Sequence, residues 1–450
     1  MESFFTVLRR WWHGSAFVKV MFIGFVILLL QIPVSMISGQ INERQWTKQE
    51  AVTEVAGKWG KEQILSGPRL VIPYYEMYSW KNKDGHTEHS RKKRYASFLP
   101  KELNVNAEVN NQTRYRGIFE VPLYQSNITV KGHFEKPNFE RWGIQAEHIL
   151  WEQAELVIGL SGANSIQKNV QLKWGDNTYE VESGLGKSNH TESGFHARLN
   201  EGFASKSYAF NIKMDVNGSQ RLFVAPTGKS SLITINSNWP DPSFQGNKLP
   251  TQHRITNEGF VADWHIPAIS LSYPQQWLTH KFDLSTINQS LVGVAFISPV
   301  DNYRMTERSV KYAVLFLILT FTVIWVFELT TNIKVHLLQY LLIGMGMSLF
   351  YLLLLALSEH ISFVWAYVIA SILVITMTST YAKVALKSSK RALLIGVLTT
   401  AMYTYLYTLL QEQNYALLTG AIGTFLALGT VMYTTRNINW FAVNKSGEES

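Results

Sequence analysis

Long apolar runs constrain the fold of this chain more strongly than any other feature of its sequence. A helix needs about 20 consecutive apolar residues to cross the hydrocarbon core of a bilayer. Runs of this kind occur in six places, at 16–38, 311–330, 336–357, 361–382, 392–411 and 415–435. The sequence therefore predicts a membrane protein with six transmembrane helices, one N-terminal anchor and a C-terminal bundle of five within 311–435.

The first run also resembles a signal peptide, because Arg9 and Arg10 precede it. Its apolar stretch from Ala16 to Ile37 is longer than a usual signal core, and no clear small-residue cleavage site follows. We interpret this run as an uncleaved anchor that follows a short segment, residues 1–15.

Lysine and arginine residues mark one side of the predicted bundle. They precede the anchor, lie between the second and third helices and between the fourth and fifth, and follow the sixth, whereas the loops at 358–360 and 411–414 have none. Short loops rich in these residues stay on the cytoplasmic side. Both termini, including residues 436–450, are therefore predicted to be cytoplasmic, and residues 39–310 are predicted to lie outside.

The external segment is polar and nearly balanced in charge. Residues 39–310 contain 30 Lys and Arg against 27 Asp and Glu, and the rest of the chain contains 11 against 6. A nucleic-acid-binding domain is expected to carry a large positive excess, so we expect no nucleic-acid partner. The chain has no cysteine, which excludes disulfides, cysteine nucleophiles and thiolate metal sites.

Two periodicities divide the external segment. Residues 42–65 lack proline and carry a rough helical stripe that ends at Ile64, which predicts a helix continuing from the anchor. Further along, apolar residues alternate with polar ones, as at 103–109 and 210–216, and Asn217-Gly218 predicts a hairpin turn. We therefore predict an α+β protein with a large all-β, sandwich-like domain between the first and second transmembrane helices, built as one sandwich or two.

The motifs of enzymes and transporters are not found. The histidines lack the spacing of a zinc site, and no phosphate-binding glycine loop occurs. Gly344, Gly346 and Ser348 resemble a nucleophile motif, but Leu349 stands where its last glycine belongs. No predicted helix carries a charge near its centre, which weighs against a proton-driven transporter. We expect no catalytic residue, cofactor or metal, and no enzyme activity.

The polar tripeptide Ser358-Glu359-His360 separates the third and fourth predicted helices. On the predicted topology it lies at the outer membrane surface. The simpler interpretation is the polar tip of a tight turn, and a proton-linked or partner-contacting role is the alternative.

Six stretches of the sequence carry a family resemblance. They are GPRLVIPYYE at 67–76, RYRGIFEVPLYQSNITVKGHF at 114–134, SNWPDPSFQGNKLP at 237–250 with GFVADWHI at 259–266, PVDNYRMTERSVKYAVLFLILTFTVIWVFE at 299–328, QYLLIGMGMSLFYLLLLALSEH at 339–360 and TRNINWF at 435–441. In these stretches, which span nearly the whole chain, the sequence resembles the CreD family of cell envelope integrity proteins in the inner membrane of Gram-negative bacteria. The resemblance implies a large periplasmic domain at 39–310 and a link to envelope stress and bacteriocin tolerance, with no assigned catalytic residue.

Two groups of residues that are predicted to meet at the outer membrane surface form a candidate docking site. They are Asp301, Tyr303, Arg308 and Lys311 before the second predicted helix, and Glu359 and His360 between the third and fourth. We hypothesise that Asp301 or Glu359 pairs with Arg308 or Lys311 and docks the β domain on the helix bundle.

A second group of residues is a candidate partner surface. Its members are rigid or aromatic, namely Trp239, Pro240, Pro242 and Phe244. The alternative is a proline-shaped loop that packs on the sandwich.

Three functions are compatible with these features. The favoured one is a non-enzymatic protein of the envelope stress response, which maintains envelope integrity through a periplasmic β domain that binds an envelope protein or glycan. The second is an inner membrane transporter or channel component, for which six helices suffice in a homo-oligomer. The third is a hydrolase that uses Glu359 and His360. All three place the chain in a lipid bilayer.

Overall fold

The computed structural model describes residues 16–81, 87–186, 193–200, 207–296, 302–331, 335–412 and 415–436. The chain divides into two compact units, which we call the helical unit (Met1–Lys48 with Val300–Ser450) and the β unit (Gln49–Pro299). Predictions for residues 1–15, Asp301 and 437–450 fall outside the described residues.

The described residues form eight α-helices. They are α1 (Ala16–Trp59), α2 (Ser285–Asn288), α3 (Asn302–Lys311), α4 (Ala313–Thr331), α5 (Leu337–Ser358), α6 (Phe363–Ala385), α7 (Ser389–Gln411) and α8 (Ala416–Thr435).

Each of the six predicted apolar segments coincides with a helix of the structure. Within the described residues, α1, α5, α6 and α7 are long and apolar enough to cross a membrane. A further span is provided if α3 and α4, which meet at a bend of 43°, are taken as one broken helix. The apolar part of α8, Leu418–Thr430, is shorter. The structure thus supports several membrane-crossing helices, and the number six stays a prediction.

The helix predicted at 42–65 is continuous with the anchor, as expected, but it ends earlier. α1 is one helix of 44 residues that ends at Trp59. Ile64, the last residue of the predicted stripe, instead pairs with Phe223 in a sheet. The strand begins at Gln63, whose backbone pairs with Leu222 in the same sheet.

The β unit contains seventeen described strands. They are β1 (Gln63–Lys81), β2 (Thr87–Phe98), β3 (Glu102–Arg116), β4 (Phe119–Glu135), β5 (Ala154–Leu160), β6 (Gln171–Trp174), β7 (Asn177–Tyr179), β8 (Glu182–Ser183), β9 (Gly194–Leu199), β10 (Ser207–Ser219), β11 (Arg221–Val224), β12 (Ser230–Ser237), β13 (Pro242–Gly246), β14 (Gln252–Thr256), β15 (Gly259–Pro267), β16 (Gln276–Leu278) and β17 (Val292–Phe296).

These strands form two sheets. The nine-stranded sheet has the order β13-β17-β11-β1-β5-β9-β8, with β2 added to β1 and β16 added to β2. The eight-stranded sheet has the order β14-β15-β12-β3-β4-β10-β6-β7. Buried side chains of both sheets, among them Leu70 of β1 and Val105 of β3, belong to one apolar cluster. The β unit is therefore one sandwich-like domain rather than two.

Alternating burial confirms the predicted strand pattern. Along β3 the apolar residues of 103–109 are buried and the polar residues between them are exposed. The same alternation gives the eight-stranded sheet one core face and one polar outer face, because successive side chains of a strand point to opposite sides.

The hairpin predicted at Asn217-Gly218 is wrong. β10 continues through both residues, which pair with Gln125 and Tyr124 of β4. The chain turns only at Gln220, where φ is 62°, and β11 then joins the other sheet, parallel to β1. Gly218 is needed because the Tyr124 ring lies close against its backbone, and not because the chain turns there. A Cβ atom at position 218 would lie 2.3 Å from Cζ of Tyr124.

Substitution of Gly218 tests this close approach. The ring of Tyr124 is fully buried and its hydroxyl donates to the carbonyl of Arg221 at 2.7 Å, so it has little room to move. We expect Gly218→Ala to destabilise the protein by about 1–3 kcal/mol through overpacking. The matched control is Gly57→Ala on the exposed side of α1, where no atom lies within 4 Å and alanine favours the helix by about 1 kcal/mol. Thermal unfolding of the detergent-solubilised full chain measures both, and equal midpoints for the two variants would contradict the close approach.

Candidate functional site

The candidate docking residues before the second predicted membrane helix lie on α3, a short amphipathic helix. Its buried residues Tyr303, Thr306 and Val310 recur at helical spacing and form one face. On the opposite side, Lys311 pairs with Glu307 one turn earlier at 2.9 Å. This exposed pair contributes little stability, so the inward face of α3 determines where the helix sits.

The inward face of α3 binds the turn between α5 and α6. The Tyr303 hydroxyl donates to Oε1 of Glu359 at 3.0 Å, and Nδ2 of Asn302 donates to the carbonyl of Ser358 at 2.8 Å. The Glu359 side chain is only 9% exposed. A carboxylate with so little access to water needs partners inside the protein, and Tyr303 supplies one of them.

Two basic side chains of α1 also lie near Glu359 and Tyr303. Nε of Arg44 lies 3.4 Å from Oε1 of Glu359, and Nζ of Lys48 lies 5.7 Å from the centroid of the Tyr303 ring. Arg44 and Lys48 are four residues apart and therefore share one helix face. Sequence reasoning missed both, although their spacing within the predicted helix was a usable signal.

Arg308 reaches the end of another helix. Its guanidinium donates to the carbonyls of Leu409 at 2.9 Å, Leu410 at 3.1 Å and Glu412 at 2.9 Å. These groups close the C-terminus of α7, where the last carbonyls have no partner within the helix and the helix dipole is negative.

This geometry corrects the predicted ion pair of Glu359 with Arg308 or Lys311. Arg308 binds backbone carbonyls and Lys311 binds Glu307, while Glu359 binds Tyr303 and Arg44. The physical reason is that the planar guanidinium of Arg308 carries five N–H donors and can bind several carbonyls at once. A single carboxylate offers only two acceptor oxygens. The docking role of these residues stays a prediction.

We call the set of Arg44, Lys48, Tyr303 and Glu359 the outer junction. It joins α1, α3 and the turn after α5 within the helical unit. His360 follows it in sequence, but its side chain is exposed and its backbone N–H donates to the carbonyl of Leu357 at 3.0 Å. The tripeptide is thus the polar tip of a tight turn, and its glutamate is also a contact point for two other helices.

A second polar cluster lies near the start of α1, the end of α4 and the start of α5. Lys19 of α1 pairs with Glu328 of α4, which also accepts from the Val335 backbone at 3.2 Å and from the Tyr340 hydroxyl at 3.3 Å. Both ends of the helix bundle are therefore fixed by carboxylates that contact α1.

The residues of the candidate partner surface differ in how far they are buried. Trp239 and Phe244 are half-buried and pack on the core of the sandwich, and Phe244 stacks edge-on against Trp264. Pro240 is exposed, and Pro242 begins β13, which pairs with β17. The packing of the two aromatic rings favours the loop interpretation, and a partner role stays a prediction.

In the β unit, the C-terminal turns of α1 pack on the β3–β4 hairpin. Nε1 of Trp59 donates to the carbonyl of Tyr124 at 3.2 Å, and the guanidinium of Arg114 lies 4.1 Å from the Trp59 ring centroid. Arg116 pairs with Glu54 at 3.2 Å. The pKa of the Glu54 carboxyl is lowered, first by a hydrogen bond from Lys58 and then by the charge of Arg116. Val52 adds apolar contact with the hairpin.

No arrangement in the described part of the chain has three or more His, Asp or Glu side chains placed to hold a metal ion. The outer junction is a hydrogen-bonded and ion-paired connection among α1, α3 and the turn after α5.

Comparison with known proteins gives one strong match. A family model described as inner membrane protein CreD matches residues 15–441. The chain is 32% identical over 418 residues to the inner membrane protein CreD of Escherichia coli strain K12, and the match covers 92% of each chain.

Solved structures give only weak likenesses. An M1 zinc metallopeptidase from Deinococcus radiodurans is 8% identical, with a TM-score of 0.21 over 43% of this chain and 41% of that one. A mutant of that type bound to a Tyr-Ser-Ala substrate is also 8% identical, with a TM-score of 0.23 over 74% of this chain and 93% of that one. Scores this low support no conclusion about fold or activity.

Double-mutant cycles test the outer junction. For Tyr303→Phe with Glu359→Gln we expect a coupling of about 1.5–3 kcal/mol, as for a hydrogen bond to a charged group. Arg44→Ala with Glu359→Gln should couple by less than about 1 kcal/mol, because Arg44 is 48% exposed. The control pair, Arg308→Ala with Glu359→Gln, should be additive because the two side chains share no partner. Unfolding of the full chain in detergent gives each value, and coupling only in the control pair would contradict the assignment.

Proposed function

Because this chain belongs to the CreD family of inner membrane proteins, we propose that it maintains the integrity of the cell envelope under envelope stress. In this proposal residues 39–310 form a periplasmic domain that binds an envelope component, and the helices respond to or brace that interaction. The role is non-enzymatic. It is supported by the use of Glu359 in contacts with Tyr303 and Arg44, beside an exposed His360.

One observation carries the proposal, namely the unbroken helix α1. Its last turns are fixed to the β3–β4 hairpin through Glu54 and Trp59, and its Arg44 contacts Glu359 in the helical unit. Arg44 and Glu54 lie ten residues apart in the sequence of the same helix. In this proposal α1, which contributes residues to both units, is the element through which binding to the β unit affects the helical unit.

The proposed topology has six membrane crossings, both termini in the cytoplasm and the β unit in the periplasm. It rests on the distribution of Lys and Arg among the short loops. The structure adds that several of the helices have the length and composition needed.

Cysteine labelling tests this topology directly, because the chain has no cysteine of its own. Ser90 and Lys390 are both exposed, so a cysteine at either position should be accessible to reagent on its own side. In cells whose outer membrane alone is permeabilised, a membrane-impermeant maleimide should label Ser90→Cys and not Lys390→Cys. After the inner membrane is opened, both variants should be labelled. Labelling of Lys390→Cys before that step would contradict the orientation.

Complementation of a strain that lacks this protein tests the function. The strain should be more sensitive to an envelope-disrupting detergent such as deoxycholate, and the unaltered chain should restore resistance. The double variant Arg44→Ala with Glu359→Gln should restore little, because it removes the contact between α1 and the turn after α5. Glu307→Gln is the matched control, since among the described residues the ion-pair partner of Glu307 is an exposed lysine of its own helix.

Immunoblotting confirms that the variants are equally abundant in the membrane. A null strain as resistant as the wild type would overturn the integrity role. Full resistance restored by the double variant would overturn the coupling through the outer junction alone.

A further inference from the structure

The outer face of the eight-stranded sheet holds an open polar groove of about 770 Å³, which we call the sheet groove. Its floor crosses four adjacent strands, β12, β3, β4 and β10, a width of about 14 Å. The residues that line it are mostly carboxamides and carboxylates: Glu108, Asn110, Gln125, Asn127, Gln167, Lys168, Asp215, Asn217, Asn236, Asn238 and Glu258, with Val109, Ser126, Val216 and Ser237. This volume is in the range of ligand-binding clefts.

Strand register places the polar residues in rows. Glu108 of β3 pairs with Asn127 of β4, which pairs with Asp215 of β10, while Asn236 of β12 pairs with Glu108 from the other side. Asparagine is disfavoured in strands. Its recurrence on neighbouring strands of one sheet face departs from local preference, and such departures are expected at functional sites.

Two segments outside the floor form the walls. On one side Gln167 is fixed to β10 by a hydrogen bond from its backbone N–H to the carbonyl of Asp215 at 2.9 Å. On the other side Glu258 lies in the turn between β14 and β15, where its N–H donates to Oγ1 of Thr256 at 3.3 Å. The segments at Gln167 and Glu258 therefore border the groove on two sides, so it is not simply an exposed sheet face.

Hydrogen bonds hold the lining side chains in place. Nδ2 of Asn127 donates to Asp215 at 2.6 Å, Lys168 pairs with Asp215 at 2.9 Å, and Nδ2 of Asn238 donates to Oδ1 of Asn110 at 2.9 Å. Hydrogen bonds from Lys168 and then from Asn127 lower the pKa of the Asp215 carboxyl below its usual value. At the floor, Asn217 is 97% buried, and its Oδ1 accepts no hydrogen bond from the described residues.

The charge and shape of the groove restrict its ligand. Among the described residues of the lining, Lys168 is the only basic one and is paired with Asp215, whereas Glu108 and Glu258 add further negative charge. An anionic ligand would be repelled. The two valines of the lining are buried, so the described part of the lining has no exposed large apolar side chain on which the side chains of a peptide could pack.

We propose that the sheet groove binds a neutral oligosaccharide. A sugar hydroxyl both donates and accepts hydrogen bonds, and each carboxamide offers two donors and an acceptor on one rigid plane. Rows of carboxamides along a groove therefore match the repeated hydroxyl pairs of a saccharide chain. This inference rests on the proposed function and names the class of envelope component that the periplasmic domain recognises.

Calorimetric titration of the full chain in nanodiscs tests the proposal. The neutral probes are a tetramer of N-acetylglucosamine and a tetramer of glucose, and the anionic probe is a trimer of galacturonic acid. We expect saturable binding of at least one neutral probe with a Kd of about 1 mM or lower. Asn127→Ala and Asn110→Ala should each weaken it about tenfold through lost hydrogen bonds.

Asn104→Ala is the matched control. Asn104 is exposed on the same strand and face as Asn110 but lies outside the groove lining. Its substitution should leave the affinity unchanged, and equal unfolding midpoints for the three variants would show that folding is intact. Binding of one neutral probe and not the other supports the proposal and identifies the sugar type.

Three results would overturn the inference: no saturable binding of either neutral probe, equal binding by the Asn127→Ala and Asn104→Ala variants, or tighter binding of the galacturonic acid trimer. The complementation assay separates this failure from failure of the proposed function. If the unaltered chain restores detergent resistance yet binds no neutral probe, only the groove assignment falls. If it restores no resistance, the integrity role falls whatever the groove binds.

Discussion

The absence of hydrogen-bonding partners in lipid is the constraint on which the structure of the helical unit depends. Backbone groups inside a bilayer must bond within their own helix, so the unsatisfied groups are confined to helix ends. In this chain those ends carry the specific contacts. His336 and Gln339 form a reciprocal cap at the start of α5, and Arg308 closes the end of α7 with three hydrogen bonds. Polar side chains thus connect the helices where lipid no longer excludes them.

The outer junction follows from the same constraint. Glu359 lies where α5 ends, and its carboxylate is nearly excluded from water, so it recruits Tyr303 from α3 and Arg44 from α1. Removing one partner of such a buried group costs more than the net contribution of the contact. The junction therefore fixes geometry more than it adds stability.

In the β unit the organising rule is the alternation of side chains along a strand. One face of the eight-stranded sheet joins the common core, and the opposite face is free to carry function. The sequence predicted the alternation at 103–109 and 210–216, since a period of two is local. It did not predict the groove, because Glu108, Asn127 and Asp215 become neighbours only through strand pairing.

The sequence by itself determined the positions of the apolar helices, the helical continuation of the first apolar segment and the β character of most of the polar segment that follows it. These depend on hydropathy and on periods of 3.6 and 2, which are properties of neighbouring residues. Only the tertiary structure decided that Asn217-Gly218 lies within a strand and that Glu359 contacts Arg44 rather than Arg308. The physical reason is that a polar group takes the partner that packing brings within hydrogen-bond distance. Local sequence preference leaves that choice open, because the competing partners lie far apart along the chain.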